Sequence, residues 1–130
     1  ICEVATKKRN KLIVNGNNYN TKDGTAVRDF IHVSDLAEMH LIAAKDLMNN
    51  PETEVFNCGY GKGYSVQDIV DTMSKILKNK INFEYGARRK GDAEYSVANN
   101  EKFVRKFNWK PKYDNLEYIL KTALSWEKNI

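Results

Sequence analysis

The sequence predicts an α/β fold, because short apolar stretches with a period of two alternate with longer stretches whose apolar residues recur at helical spacing. The alternation is clearest over residues 25–33 and 80–85, whereas the most regular helical stripe runs from Val66 to Leu77. The chain has 130 residues, about the size of one ordinary domain. We therefore expect one unit, residues 1–130, in which strands and helices share a core.

The first elements follow in a simple order. Residues 1–8 have the pattern of the end of an amphipathic helix, and Lys11 to Val14 that of a short strand. Residues 15–24 are rich in Asn and Gly and predict a loop. A strand over residues 25–33 is expected next, and Ser34 is expected to cap the helix that follows.

That helix is predicted to bury one apolar face and to end at residues 49–51, Asn-Asn-Pro. The residues expected on this face are Leu36, Ala37, His40, Leu41, Ala44, Leu47 and Met48. Residues 54–58 then predict a short apolar strand, and the glycine-rich residues 59–64 a turn. Ser65 and Asp68 predict a capping box at the start of the next helix.

Residues 80–85 predict another strand, which leads into the stretch RRKGDAEYS at residues 88–96. Two helices complete the chain. Their expected apolar residues are Phe103, Val104 and Phe107 in the first, and Leu116, Ile119, Leu120, Ala123 and Leu124 in the second. Neither internal repeats nor low-complexity segments interrupt this order.

Composition and charge disfavour several classes of protein. Lys and Arg number 21 against 17 Asp and Glu, and both signs are interspersed, which disfavours a nucleic-acid-binding domain. No stretch approaches the roughly 18 apolar residues of a membrane span, so no membrane association is expected. Cys2 and Cys58 are too few and too far apart for a disulfide framework, which favours the cytoplasm.

Complete catalytic and metal-binding motifs are absent from the sequence: no Tyr has a Lys four residues later, and no Cys/His metal spacing occurs. The glycines at positions 59, 61 and 63 follow G-x-G-x-G, which favours a tight turn over a phosphate-binding loop. His32 and His40 are expected to be hydrogen-bonded core residues rather than ligands or bases. We therefore expect no catalytic, cofactor-binding or metal-binding residue in this chain.

The best candidates for a ligand site are Arg28 and the pair Arg88 and Arg89. Guanidinium groups match phosphate oxygens in bidentate geometry, so two converging arginines could hold a diphosphate. Asp92, which follows Gly91, could accept hydrogen bonds from sugar hydroxyls. From spacing alone, a solvated charge cluster at a turn explains these residues at least as well.

Several stretches, in the same order, resemble motifs of the UDP-glucose 4-epimerase family. They are DGTAVRDFIHVSDLAEMH, FNCGYGKGYSVQDIV, RRKGD and FNWKPKY, the last before a helix ending in SWEKN. The phrase DGT-x-VRD-[YF]-IHV is typical of nucleotide-sugar epimerases and their nearest relatives in the extended short-chain dehydrogenase/reductase superfamily. The resemblance covers nearly the whole chain. It implies the C-terminal, nucleotide-sugar-binding portion of a Rossmann-type enzyme, with late strands and helices of the parent sheet.

The resemblance also implies that the NAD-binding glycine loop and the Tyr-x-x-x-Lys pair of the family precede residue 1, so that this portion alone is inactive. The intact enzyme would bind NAD, interconvert UDP-glucose and UDP-galactose by oxidation and re-reduction at C4, and form a homodimer. Two alternatives stay open. One is a nucleotide-sugar dehydratase or decarboxylase of the same superfamily, and the other is a non-catalytic nucleotide-sugar-binding module.

By position, Arg28 and Arg89 resemble the arginines that hold the diphosphate, and Asp92 the carboxylate on the uridine ribose. The residues that match the lining of the nucleotide pocket are Ile13, Val14, Asn15, Phe30 and Val66. Asn15 stands where the family often has Phe, which weakens stacking there, and Phe30 where it often has Tyr. Ser96 matches a position at which a small residue resembles the members that also accept N-acetylated sugars. UDP-GlcNAc and UDP-GalNAc are therefore expected as further substrates.

Overall fold

The computed structural model describes all 130 residues, which form five helices and five short strands. The helices are α1 (Cys2–Ala5), α2 (Val33–Asn49), α3 (Val66–Leu77), α4 (Glu101–Phe107) and α5 (Leu116–Lys128). The strands are β1 (Leu12–Asn15), β2 (Val27–Arg28), β3 (Tyr64–Ser65), β4 (Phe83–Gly86) and β5 (Tyr95–Ser96). The α/β class predicted from the sequence is confirmed. None of the helices has the length and apolarity needed to cross a membrane.

The strands form two small sheets. β1 and β4 pair in parallel, with Leu12 opposite Phe83 and Asn15 opposite Gly86. β2 lies between β3, which is antiparallel to it, and β5, which is parallel. Because β1 and β4 run in the same direction, their carboxyl ends meet at one edge, where ligands of α/β proteins commonly bind.

The larger core is built between α3 and α5 and is closed by β1. Its buried residues are Val14, Ile69, Val70, Met73, Ile81, Leu116, Leu120 and Leu124. The predicted capping box of α3 is confirmed, because Ser65 Oγ accepts from the Asp68 N–H at 2.9 Å and the Asp68 carboxylate accepts from the Ser65 N–H at 3.0 Å. The apolar stripe of this helix therefore faces the core as its spacing predicts.

A smaller core fixes α4 against α2. Met39, Phe103 and Trp109 are buried there, and Phe56 packs edge-on to Phe103 with ring centroids 5.5 Å apart. The ring of Tyr60 stacks on Trp109 with centroids 6.4 Å apart. Aromatic contacts therefore connect the segment between α2 and α3 to the C-terminal third of the chain.

The strand predicted over residues 25–33 is wrong in its extent. Only Val27 and Arg28 belong to β2, and the Asp29 N–H makes the last bond to the neighbouring strand, to the Ser96 carbonyl at 3.1 Å. Beyond Asp29 the chain leaves the sheet to begin α2, so the alternating pattern there marks an extended connection.

The residue that caps α2 is His32, not the predicted Ser34. His32 Nδ1 accepts from the Ser34 N–H at 3.1 Å, and Nε2 lies 3.0 Å from Thr122 Oγ1 on α5. Since the cap fixes Nδ1 as an acceptor, Nε2 carries the proton and donates to Thr122. His32 is 6% exposed, so the expected hydrogen-bonded core histidine is confirmed.

The buried face predicted for α2 is also wrong. The helix buries Asp35 and Met39, and Ile42 and Ala43 pack against the smaller core. The exposed residues of the predicted face are Ala37, His40, Leu41, Ala44, Leu47 and Met48. His40 is therefore a surface residue, bonded to its own helix with Nδ1 2.8 Å from the Leu36 carbonyl oxygen. Asp35 can be buried because the protein supplies hydrogen-bond donors for its carboxylate.

The strand predicted over residues 54–58 does not form. Phe56 is held by the smaller core, but Val55 is 77% exposed. No strand lies beside this segment to share backbone hydrogen bonds, and a strand needs a partner to be stable.

Candidate functional site

The stretch RRKGD forms a turn just beyond the carboxyl end of β4. The Asp92 N–H donates to the Arg89 carbonyl at 3.2 Å, which closes a four-residue turn. Gly91, the third residue, has a φ of +80°, a conformation that glycine adopts without strain. The turn therefore places Arg89 and Asp92 at its two ends, close to each other in space.

Arg28 meets the same turn from the other sheet. Its Nη2 donates to Asp92 Oδ1 at 2.5 Å, and its Nη1 donates to the Val27 carbonyl at 2.7 Å. Both charged side chains are about a quarter exposed, at 26% for Arg28 and 29% for Asp92. The parallel register of β2 and β5 sets Arg28 opposite Ser96. Three predicted site residues, Arg28, Asp92 and Ser96, are thus neighbours.

Arg89 is joined to the end of β1. In the orientation of the Asn15 side-chain amide that satisfies its hydrogen bonds, the amide oxygen accepts from Arg89 Nε and Nη2, both at 3.2 Å. Ile13 lies two residues earlier on the same face and is 41% exposed. Val14 is 1% exposed and belongs to the core, so only its backbone can face a ligand.

The two remaining predicted residues flank β2. Val66 begins α3, and its N–H donates to the Ala26 carbonyl at 3.0 Å. Phe30 lies just beyond the strand, and both side chains are half-buried against the edge of the larger core. Phe30 and Val66 therefore border the site from its apolar side.

Arg88 has a structural role, because it contacts the loop that contains Asn18 and Tyr19. Its guanidinium lies 4.0 Å from the centre of the Tyr19 ring, its Nε donates to Asn18 Oδ1 at 2.7 Å, and its Nη2 donates to the Asn18 carbonyl. Tyr19 is 5% exposed, so this stack holds the loop over residues 16–26 against the RRKGD turn. Arg88 is therefore committed to Asn18 and Tyr19, whereas Arg89 donates to Asn15 alone.

A carboxylate fills the glycine-rich turn between Cys58 and Tyr64. Asp29 accepts from the backbone N–H groups of Tyr60 at 3.0 Å, Gly61 at 2.9 Å and Ala98 at 3.3 Å. These N–H groups would otherwise be free to bind a phosphate. The preference for a tight turn is therefore confirmed, and Asp29 ties β2 both to that turn and to the segment after β5.

Sequence reasoning overlooks Asp29 and also Asp35, which is completely buried. Tyr60 Oη donates to Asp35 Oδ2 at 2.6 Å, and the backbone N–H groups of Lys112 and Tyr113 donate to the same oxygen at 3.2 and 2.9 Å. Burial, and then the hydrogen bond to Asp35, raise the pKa of Tyr60 far above its ordinary value, so its hydroxyl is a permanent donor. The available signal at Asp29 is an acid that alternates with the apolar residues Val27 and Ile31 on one face.

Asp23 anchors the loop over residues 16–26 to the start of α3. Its carboxylate accepts from Ser65 Oγ at 2.5 Å and from the N–H and hydroxyl of Thr25 at 2.9 and 2.7 Å. Burial raises the pKa of Asp23, but the bonds from Ser65 and Thr25 together outweigh it and leave the pKa below its usual value. The loop is thus fixed at Asp23 and at Tyr19.

Comparison with known proteins gives consistent matches. The sequence model of the NAD dependent epimerase/dehydratase family matches residues 1–59. The UDP-glucose 4-epimerase of Azospirillum brasilense is 37% identical over 129 residues, which are 99% of this chain and 37% of that protein. The chain therefore spans well under half of the length of the curated relatives that it matches, in their C-terminal part.

Solved structures agree in fold. The UDP-Glc/GlcNAc 4-epimerase of Campylobacter jejuni matches with a TM-score of 0.85 and 44% identity, over 99% of this chain and 39% of that one. The UDP-glucose 4-epimerase of Bifidobacterium longum, solved in complex with NAD+ and UDP, matches with a TM-score of 0.85 and 30% identity, over 98% of this chain and 38% of that one.

The chain has the fold of the C-terminal portion of Rossmann-type epimerase structures. More particularly, it is homologous to the C-terminal part of the UDP-glucose 4-epimerases, as its motifs predict.

Proposed function

We propose that this chain is the nucleotide-binding portion of an enzyme that interconverts UDP-glucose and UDP-galactose. The observation that carries the proposal is the convergence of Arg28, Arg89 and Asp92 at one strand edge, through the 89–92 turn and the ion pair between Arg28 and Asp92. Two guanidinium groups beside one carboxylate match a diphosphate followed by a ribose. The relative from Bifidobacterium longum, which was solved with UDP, supports this choice of ligand.

Each residue of the site has a distinct role in this proposal. Arg28 and Arg89 donate hydrogen bonds to the diphosphate, and Asp92 accepts from the ribose hydroxyls. The residues that border the nucleotide are Ile13, Asn15, Phe30 and Val66, with Val14 contributing its backbone only. A firmly held nucleotide would let the enzyme use binding energy far from the reacting carbon to position the sugar.

NAD is the proposed hydride carrier of the intact enzyme: it supplies oxidation and re-reduction at the sugar C4. The glycine-rich turn of this chain does not fit a dinucleotide, because Asp29 already occupies its N–H groups. We therefore assign NAD and the catalytic base to another part of the intact protein, and we expect residues 1–130 alone to be inactive.

Two exposed features support a larger protein around residues 1–130. The outer face of α2 presents apolar side chains to solvent, with Leu41 55% and Met48 85% exposed, and the segment over residues 54–58 lacks a neighbouring strand. We propose that both pack against the NAD-binding part of the intact protein. The gene sequence that precedes Ile1 checks this assignment. It should encode a G-x-x-G-x-x-G loop and a Tyr-x-x-x-Lys pair, and an upstream sequence without them would contradict it.

Three further properties belong to the same proposal. Ser96, exposed beside Arg28, leaves room for an N-acetyl group, so UDP-GlcNAc and UDP-GalNAc are proposed as further substrates, as the name of the relative from Campylobacter jejuni also suggests. A homodimer rests on the family resemblance. A cytoplasmic location is favoured by the two unpaired cysteines, Cys2 and Cys58.

Titration of the intact protein with UDP tests the nucleotide site. Arg28→Ala and Arg89→Ala should each weaken UDP binding by about 10- to 100-fold, because each removes charge-assisted hydrogen bonds worth roughly 1.5–3 kcal/mol. Isothermal titration calorimetry gives the dissociation constants directly.

Lys90→Ala is the matched control, since Lys90 is exposed in the same turn and makes no hydrogen bond or ion pair through its side chain. It should change the affinity less than about threefold. Equal losses in all three variants would indicate a diffuse charge effect and would count against the assigned site.

A further inference from the structure

We infer that Asp92 is a positioning residue for Arg28 in addition to its proposed contact with the ribose. This inference rests on the proposed function of the site and concerns what holds the two arginines together before UDP arrives. Its basis is the hydrogen bond of 2.5 Å between Arg28 Nη2 and Asp92 Oδ1, which joins residues that are 64 positions apart in the chain.

The two oxygens of the Asp92 carboxylate have different surroundings. Oδ1 accepts from Arg28, whereas no protein group donates to Oδ2. A carboxylate can accept hydrogen bonds at both oxygens at once, so Oδ2 can bind a ribose hydroxyl while Oδ1 keeps its bond to Arg28. The two roles of Asp92 are therefore compatible in one complex.

The guanidinium of Arg28 is held at two points, by Asp92 and by the Val27 carbonyl. Arginine has five N–H donors, and these two contacts leave three of them for phosphate oxygens. Since a free arginine side chain loses rotamer entropy when it is ordered, holding it in advance improves affinity for the group that the remaining donors bind.

Asp92 also connects the two cations. It ends the turn that begins with Arg89, and Arg89 in turn is oriented by Asn15. Two guanidinium groups repel each other when the site is empty, and a carboxylate that is bonded to Arg28 and lies in the same turn as Arg89 offsets part of that repulsion. Asp92 thus bonds Arg28 of one sheet to the turn that follows the other, beside the longer ion pair of 4.0 Å between Arg88 Nη1 and Glu94 Oε1.

The first test needs no ligand. In the free intact protein, ¹⁵N relaxation of the Arg28 Nε–H group should show a rigid side chain, and Asp92→Asn should make it clearly more mobile on the picosecond-to-nanosecond timescale. Lys90→Gln, which changes the charge of the same turn without touching Arg28, should leave it rigid. An Arg28 side chain with unchanged mobility in Asp92→Asn overturns the inference, whatever the protein binds.

The second test compares UDP with uridine, which has the ribose but no phosphate. If Asp92 acts on the ribose alone, Asp92→Asn weakens both ligands by the same factor. If Asp92 also positions Arg28, Asp92→Asn lowers the affinity for UDP by about fivefold or more beyond its effect on the affinity for uridine. In the Arg28→Ala background, this extra loss should disappear, which a double-mutant cycle measures.

Loss of the Asp92 charge also removes repulsion of the diphosphate, so a gain in UDP affinity relative to uridine would overturn the inference. If Asp92→Asn weakened the binding of both ligands by an equal factor, and Arg28→Ala still weakened UDP binding, the inference would be overturned and the proposed function would stand. Failure of the intact wild-type protein to bind UDP would contradict the proposed function instead. In that case, ¹⁵N relaxation of Arg28 in the free protein would by itself decide whether Asp92 positions Arg28.

Discussion

Asp35→Ala should lower the free energy of unfolding by about 3–5 kcal/mol, the largest loss that we expect from a single substitution in this chain. The variant removes the acceptor for Tyr60 Oη and for the backbone N–H groups of Lys112 and Tyr113, and leaves these part-buried donors without that partner. It also disconnects the first turn of α2 from the connection between α4 and α5. Urea denaturation followed by circular dichroism measures the loss.

Asp114→Ala is the control for this measurement. Asp114 is an exposed acid one residue beyond Tyr113, and its only ion pair, with Lys62, spans 3.9 Å. Its loss should change stability by no more than about 0.5 kcal/mol. A cost below about 1.5 kcal/mol for Asp35→Ala would mean that the carboxylate does not organise this junction.

Ser96→Tyr should change the substrate preference of the intact enzyme. The new ring would stand opposite Arg28 in the register of β2 and β5, where it would fill the space proposed for an N-acetyl group. The ratio of kcat/KM for UDP-GlcNAc to that for UDP-glucose should fall by about tenfold or more, because a steric misfit of roughly 1.4 kcal/mol is sufficient for that factor. Coupled assays with both substrates give the ratio.

Ser96→Ala provides the comparison, since it removes the hydroxyl but keeps the space. Its ratio should stay within about twofold of that of the parent enzyme. The proposal that Ser96 governs sugar size would fail if Ser96→Tyr also left the ratio unchanged.

Local patterns predict those parts of the fold that depend on neighbours in sequence. The α3 capping box and stripe, the short β1 and the loop after it all depend on residues within a few positions of each other. Apart from the cap of α2, where His32 bonds to the nearby Ser34 N–H, the errors concern contacts that are distant in sequence. The α2 sequence has apolar residues on more than one face, and only the packing of Phe103 and Trp109, together with the donors around Asp35, selects the face that is buried.

The candidate site shows the same division between features that local sequence predicts and features that depend on distant contacts. Residue type suggests that arginines bind a diphosphate, but sequence spacing alone does not distinguish Arg28 from Arg88 and Arg89. A solvated charge cluster accounts for the three residues at least as well. The fold separates them, because Arg88 stacks on Tyr19 whereas Arg28 and Arg89 converge through the turn that ends in Asp92. The family resemblance distinguishes them at the sequence level, since it carries information about contacts between distant residues.

The glycine-rich turn around Asp29 has a consequence for the evolution of the family. A side chain at position 59 would place its Cβ 2.5 Å from Asp29 Oδ2 and 2.7 Å from Ala98 Cβ, so both neighbours require glycine there. A homologue that replaces Asp29 with a smaller neutral residue loses the acceptor for the turn but still needs glycine at position 59, because Ala98 Cβ keeps that space filled. Glycine at position 59 should therefore persist in homologues that replace Asp29, unless position 98 also becomes glycine.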